Sequence, residues 1–403
     1  MLLRTQPTPR SPQPRTLFLG SFPPRECGIA TFMNDVVENY DLAFGSTSEV
    51  VAIDEPGGEV REYPDNVVAR LRADDRPSYR AVARAINAHP TRLLNVQHEY
   101  GLFGGLHGSW FLDLLEDLEK PVVVSLHTVL PEPGDEHRSI ARRICERADA
   151  VVVLSQTGKD ILTDEYGIDP AKLRVIHHGV PDVPFRATDA AKTKFGVSGR
   201  KVISTFGLIS RGKGLEFGID AMQAIVARHP EALYLILGQT HPNVRRHEGE
   251  SYRMELEARV AELGLAENVK LVDRYLAFDE LVDYLAATDI YLTPYLNPVQ
   301  IVSGTLAYAV GAGKAIVSTP YLYAEELLAH GRGFLAPFRD AGAIASALAA
   351  LLDDPFLRRA TERRAYRFGR QMTWSHVARA YGRVFGEVSP VSDSEKSELV
   401  RPA

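Results

Sequence analysis

Cysteine is nearly absent. Cys27 and Cys145 are the only two in 403 residues, and neither has a neighbour at disulfide-framework or zinc-ligand spacing. A disulfide-built scaffold and a zinc module are thereby excluded, and the usage fits a reducing, cytoplasmic setting. No apolar run reaches the length of a membrane span. Residues 1–15 are rich in Pro, Thr and Arg and lack the apolar centre of a secretory signal, so a disordered lead-in is expected. Charge of one sign is lacking too. Lys plus Arg number 46 against 52 Asp plus Glu, a formal charge of −6, which leaves no basic field for nucleic acid. Paired carboxylates at helical metal spacing and a nucleophile elbow are also missing. Cys27, between Glu26 and Gly28, reads as a small residue in a tight turn ahead of a nucleophile.

What is present is enough chain for two cores. Residues 16–20 form a short apolar run ending in Gly, then a loop with Pro23, Pro24 and Gly28, then a helix near Thr31. The cycle recurs with strands expected over 48–53, 93–97, 121–126, 150–154 and 173–176 and helices between them. Residues 177–184, with His177, His178, Gly179, Pro181 and Pro184, read as a linker. The cycle then restarts, with strands over 201–206, 233–237, 269–272, 290–293, 315–318 and 333–336. Strands alternating with helices imply parallel sheets covered on both faces. The fold class is α/β, two Rossmann-like doubly wound domains facing a cleft, over 16–184 and 185–371. A helix over 372–388 is expected to pack back on the first domain, before a polar tail over 389–403. In such sheets ligands bind beyond the carboxyl ends of the strands.

Two glycine-bearing segments tempt a nucleotide reading and fail it. Gly212 to Gly218 lacks the acidic residue that a dinucleotide fingerprint places at the end of the next strand, where Gly238 and Gln239 stand. Gly313-Lys314 lacks the P-loop glycine, Tyr308 taking its place, and Ala315 follows the lysine.

Two other segments carry chemistry. Residues 204–214 leave a strand and open a helix, with Arg211 and Lys213 set among glycines. Cations and free N–H groups at a helix start can hold phosphate, the guanidinium as a fork and the ammonium as a point charge. Residues 297–318 lead through Ser303, Gly304 and Thr305 into a small-residue helix, whose first N–H groups are a second anion site.

The order of motifs resembles the retaining glycosyltransferases of family 4, of the GT-B fold, over nearly the whole chain. The loop Pro23-Pro24-Arg25-Glu26-Cys27-Gly28 resembles their first glycine-bearing loop. Ser125-Leu126-His127-Thr128 is similar to the strand end whose His contacts the donor sugar. Gly207 to Gly214 resembles G-R-L-x-x-x-K-G, and Ala287 to Pro294 resembles A-D-x-x-x-x-P-S. The chain departs from the family at Leu208, where Arg is usual and Arg211 is a candidate replacement. It also departs at the E-x7-E hallmark, where Gln300 and Tyr308 stand for the two Glu.

The resemblance implies a metal-independent hexosyltransferase without a cofactor. Its donor would be a nucleotide-diphosphate sugar of GDP or UDP type, with mannose the family habit, and its acceptor a saccharide or glycoconjugate, as in polysaccharide biosynthesis. Catalytic roles are expected for His127, Arg211 and Lys213, and donor contacts for Gly28, Gln300, Ser303, Gly304, Thr305 and Tyr308. His98 and Glu99 are expected on the acceptor side, although a helix-cap or ion-pair role fits Glu99 as well. Glu325 and Glu326 are expected near the ribose and sugar, at least one of them as surface charge only. Arg138, Arg142, Arg143 and Arg147 are expected to form a solvated helix face, with peripheral membrane contact as the alternative. Two other functions stay open: a phosphorylase using inorganic phosphate, and a non-catalytic sugar-nucleotide binder.

Overall fold

The computed structural model describes residues 13–57, 61–185 and 188–390. The expected lead-in and tail therefore lie largely outside the described residues. The chain divides into two compact units, one of residues 1–179 with 374–403, the other of residues 180–373.

The first unit is built on β1 (Thr16–Gly20), β2 (Glu49–Asp54), β3 (Val67–Arg72), β4 (Leu93–His98), β5 (Val122–Leu126), β6 (Ala150–Val153) and β7 (Leu173–Val175). They form one sheet in the order β3-β2-β1-β4-β5-β6-β7, with every pair parallel. The central strands are buried along their whole length, as strands covered on both faces must be. The chain runs outward from β1 in both directions, so the sheet has its topological switch between β1 and β4.

The last helix, Trp374–Val388, lies on the helix Gly28–Phe44 of this unit. Phe385 meets Phe18 edge-on at 6.0 Å and Tyr40 at 5.4 Å. Gly382 sits so close to Phe44 that a Cβ there would lie 2.3 Å from its ring. Burying a ring such as Phe385 contributes about 1.5–3 kcal/mol, enough to hold a helix that arrives from the far end of the sequence.

The second unit carries β8 (Lys201–Phe206), β9 (Ala232–Leu237), β10 (Val269–Val272), β11 (Ile290–Thr293), β12 (Ala315–Ser318) and β13 (Phe334–Leu335). Their order is β10-β9-β8-β11-β12-β13, again all parallel, with the switch between β8 and β11. Both units are Rossmann-like. At the amino end of this sheet Asp289 accepts from the Val202 N–H at 2.7 Å and pairs with Lys192 at 2.6 Å. Both side chains are buried, and their mutual pairing is what makes that burial tolerable.

Several elements differ from the sequence reading, among them the short helix Thr188–Lys192 and three others. β3 was not expected, because it is an edge strand with alternating exposure and arginines at two of its six positions. The helix Pro242–Glu248 was not expected either. Its start is marked by Pro242 and by His241, whose ring accepts from Asn243 N, weak signals in a polar stretch. The last helix begins at Trp374 rather than 372, after a short turn over Arg370–Met372. No helix among the described residues is long and apolar enough to cross a membrane.

Candidate functional site

In the second unit the loops after β8 and β11 are stitched together at the switch point. Beyond β8, Gly207 takes φ +129, a conformation L side chains rarely adopt, and a Cβ there would lie 3.2 Å from Thr305 Cγ2. A short turn over Arg211–Lys213 follows, closed by Gly214 in the left-handed region before the helix Leu215–Arg228. A Cβ on Gly214 would lie 2.3 Å from Pro294 O, and Leu296 N donates to Gly212 O at 2.9 Å. The glycines thus let the backbone after β8 lie against the backbone after β11.

That approach gathers Lys213, Tyr295, Thr305 and Ser303. Lys213 Nζ lies 3.9 Å from the centre of the Tyr295 ring, a cation–π contact. The Tyr295 hydroxyl and Thr305 Oγ1 are 2.8 Å apart, and Thr305 Oγ1 lies 3.1 Å from Ser303 Oγ. Ser303 caps the helix Gly304–Gly311, accepting from Leu306 N at 3.3 Å. Lys213 has no carboxylate ion-pair partner among the described residues. A cation, three hydroxyls and the start of a helix therefore meet where an open α/β sheet takes its ligand.

Arg211 is not brought into this group. It is a bidentate partner of Glu255, at 2.7 and 2.6 Å, with Glu248 at 3.5 Å, and its guanidinium lies over the Tyr252 ring. The side chain is half exposed, and the two carboxylates raise its pKa further. In this conformation the fork faces the helix Ser251–Glu262 and is spent there. Gln300 Nε2 donates to Val302 O at 2.9 Å, and its backbone carbonyl accepts from Tyr323 N. Tyr308 is 7% exposed, its ring packed near Phe206 and Phe278. Glu325 is exposed, while Glu326 is half-buried, its carbonyl accepting from Arg332.

In the first unit the helix after β1 is capped by Cys27, whose Sγ accepts from Ala30 N at 3.3 Å and lies 3.2 Å from Ser21 Oγ. The structural role read for Cys27 is thus occupied. Gly28 is the first helical residue, and nothing lies within 4 Å of where its Cβ would be, so packing does not demand glycine there.

His127 follows β5. Its Nε2 lies 2.9 Å from Gln97 Oε1, its ring meets Phe32 edge-on at 4.8 Å, and its N–H donates to His98 O at 3.0 Å. Burial, with His178 and His98 nearby, pulls its pKa down to about 3, so the ring is neutral. Glu99 caps the short turn after β4 through Tyr100 N at 2.9 Å and accepts from Thr128 Oγ1 at 2.6 Å. It ties the end of β4 to the end of β5, and burial raises its pKa.

His98 corrects its expectation. It is fully buried, stacked on Phe103 at 5.1 Å and packed on Tyr100 and Phe111. Both ring nitrogens are sealed without a hydrogen-bond partner. A ring with no exposed atom has no surface to offer an acceptor. Desolvation lowers its pKa to about 3.

The four arginines of the helix Asp135–Arg147 are occupied locally. Arg143 pairs with Glu116, Arg142 with Glu146, Arg147 donates to the carbonyls of Leu115 and Leu118, and Arg138 lies over the Tyr166 ring. No group of three or more metal-ligating side chains occurs among the described residues.

Sequence reasoning missed Asn95, Gln97 and Tyr295. A signal existed for the first two: polar residues at i and i+2 in a strand otherwise apolar put two amides on one buried face. Tyr295 carried none, because it reads as one more aromatic after a strand.

Two all-parallel sheets, each with a topological switch, define a two-unit Rossmann-like α/β protein. Residues 43–182 match the family described as Glycosyltransferase Family 4, and residues 200–354 match Glycosyl transferases group 1. The D-inositol 3-phosphate glycosyltransferase of Corynebacterium glutamicum is 28% identical over 289 residues. That alignment takes in 66% of each chain, just under two thirds of the relative's length. The phosphatidyl-myo-inositol mannosyltransferase of Mycolicibacterium smegmatis is 25% identical over 349 residues, 84% of this chain and 86% of that one. Among solved structures, Anabaena HepE in complex with UDP superposes with a TM-score of 0.73 at 18% identity, covering 93% of this chain and all of the other. The chain belongs to the group 1 and family 4 glycosyltransferases of the GT-B fold.

Proposed function

We propose that this glycosyltransferase moves a hexosyl group from a nucleoside-diphosphate sugar to a saccharide or glycoconjugate acceptor, with retention at the anomeric carbon. The observation that carries the reading is the convergence of Lys213, Tyr295, Thr305 and Ser303 at the second switch point. As the glycosidic C–O bond lengthens, negative charge builds on the departing diphosphate and positive charge on the anomeric carbon. A fixed ammonium and the N–H groups at the start of the helix Gly304–Gly311 meet that negative charge without reorganising. The acceptor hydroxyl attacks the face the diphosphate leaves, and the diphosphate oxygen takes its proton, so no protein nucleophile is required.

The other roles are part of the same proposal. Ser303, Gly304 and Thr305 hold the diphosphate beside Lys213. Gln300 and Tyr308, as hydrogen-bonding groups without charge, serve the sugar and ribose hydroxyls, and His127 serves the donor sugar. Gly28 leaves room for donor or acceptor, and Arg211 contributes only when released from Glu255. Mannosyl transfer is the version to test first, since one relative is named a mannosyltransferase. UDP is the nucleotide in the HepE complex, and GDP is the alternative base.

The test is a thermal-shift panel with UDP, GDP, ADP and inorganic phosphate, each run on the wild type and on Lys213→Ala. A nucleotide that binds the native state raises its melting temperature by mass action. A shift with one nucleoside diphosphate, lost in the variant, supports the transferase and names the base. A shift with phosphate alone, or none at all, overturns it.

A further inference from the structure

We infer that Gln97, itself oriented by Asn95, holds His127 as the tautomer protonated on Nε2, so that its Nδ1 meets a ligand as a lone-pair acceptor. The chain of groups that sets this begins at a backbone carbonyl. Asn95 Nδ2 donates to Val123 O at 3.1 Å. A main-chain carbonyl only accepts, so the Asn95 amide has one permitted orientation, with Oδ1 turned away as an acceptor. Gln97 Nε2 donates to that Oδ1 at 2.7 Å and to Ser125 Oγ at 3.3 Å. The Gln97 amide is oriented in turn, and its Oε1 faces His127 Nε2 at 2.9 Å. An amide oxygen cannot donate, so the hydrogen of this bond sits on Nε2. In a neutral imidazole the other nitrogen is then an acceptor.

The network has no slack. Asn95, Gln97 and Ser125 are fully buried, so bulk water offers no substitute partner. Ser125 Oγ also lies 3.0 Å from the Tyr381 hydroxyl, which ties the last helix to the same network. A flipped Gln97 would set its NH2 against His127 and its oxygen against Asn95 Oδ1, leaving a buried acceptor pair that costs about 1–3 kcal/mol in a neutral site. The contrast with His98, one strand away, is direct. Both rings are buried, but His98 has neither nitrogen partnered and therefore no fixed tautomer.

The consequence is specificity. Nδ1 makes no hydrogen bond among the described residues, and it welcomes a ligand hydroxyl that donates. It repels a group that only accepts, such as a carboxylate or a fluorine at the same place. That the hydroxyl belongs to the donor sugar rests on the function proposed above; the tautomer does not. Gln97 and Asn95 are thus positioning residues, acting on the ligand only through His127.

The experiment is two-bond 15N–1H spectroscopy of the full-length protein labelled at the histidine rings, without ligand, the His127 signals being assigned by their loss in His127→Gln. The expected result is an Nε2–H ring throughout the range from about pH 5.5 to 8. Asn95→Ala frees the Gln97 amide to rotate and gives a mixture of tautomers. Gln97→Glu replaces the acceptor with a carboxylate and gives a doubly protonated ring near neutral pH. An Nδ1–H ring in the wild type overturns the inference, as does a spectrum unchanged in both Asn95→Ala and Gln97→Glu. The wild-type spectrum decides the tautomer by itself should a variant fail to fold. Because no ligand is present, failure here is separate from failure of the transferase reading, which the nucleotide panel tests.

Discussion

Two groups of polar side chains near strand carboxyl ends, one in each unit, are held in different ways. Beyond β8 and β11 the residues are glycines, hydroxyls and one cation without a carboxylate partner, held by backbone contacts between two loops. Within and just after β4 and β5, one strand away from the first sheet's switch, the residues are a neutral histidine, two amides and a serine, held by side-chain hydrogen bonds. The first arrangement gathers a positive charge and hydroxyls, the second gathers uncharged hydrogen-bonding groups. Backbone contacts fix the first and side-chain hydrogen bonds fix the second.

Lys213 gives the sharpest way to break this comparison. Lys213→Ala is expected to lower kcat/KM by about 10²–10³-fold, the usual cost of removing one fixed partner of developing charge. Arg211→Ala, whose guanidinium is occupied by Glu255, is expected to lower it by less than about fivefold, as for an exposed pair. Steady-state kinetics with the nucleotide sugar identified by the binding panel check both. Equal losses would mean that Arg211 leaves Glu255 during turnover. The backbone contact is tested next by Gly214→Ala. Its φ is +57 and the added methyl would meet Pro294 O at 2.3 Å, so one of the two loops must move. A loss of about 2–4 kcal/mol in urea unfolding is expected, with weakened nucleotide binding even where the fold survives.

How far the sequence revealed these arrangements differs between them. Apolar runs such as Ile290–Thr293 and Ala315–Ser318 locate strands because both faces are covered, whereas β3 escaped notice because an edge strand need not be apolar. Lys213, Ser303 and Thr305 were legible since glycine turns and helix caps are local features. The partner of Arg211 was not, because Glu255 comes from a helix 44 residues away. His98 read as a polar residue at a strand end. Its burial depends on Phe103 and Phe111 folding back over it, which no local pattern announces.

The buried histidines make the first unit sensitive to acid. His98 and His127 are held down to about 3 and His178 to about 4, each mainly by desolvation. Their unfolded value is near 6.5, so between these limits the unfolded chain binds more protons than the folded one. Stability is therefore complete above about pH 6.5 and falls as the medium is acidified, each ring contributing a slope of about 1.4 kcal/mol per pH unit. Urea midpoints measured at neutral and mildly acidic pH should show this, and His98→Phe should remove one ring's share of the slope. An unchanged slope would mean that His98 is protonated in the folded state.

The smallest expected effect sits on the helix Asp135–Arg147, where two arginines differ in what they touch. Arg142 meets Glu146 one turn on at 3.7 Å, with both side chains at least half exposed. Arg147 donates to the carbonyls of Leu115 and Leu118, near the end of the helix Phe111–Asp117, and so supplies partners the helix cannot provide for itself. Arg142→Ala should change the unfolding free energy by less than about 0.5 kcal/mol, because an exposed pair gains little over water. Arg147→Ala should cost about 1–2 kcal/mol, because hydrogen bonds from a charged group to those carbonyls are lost. Urea denaturation of the two single variants decides it. Equal losses would mean that the charge of each arginine, rather than the anchoring of its side chain, sets its contribution, and the distinction drawn between anchored and solvated polar groups would fail at its simplest instance.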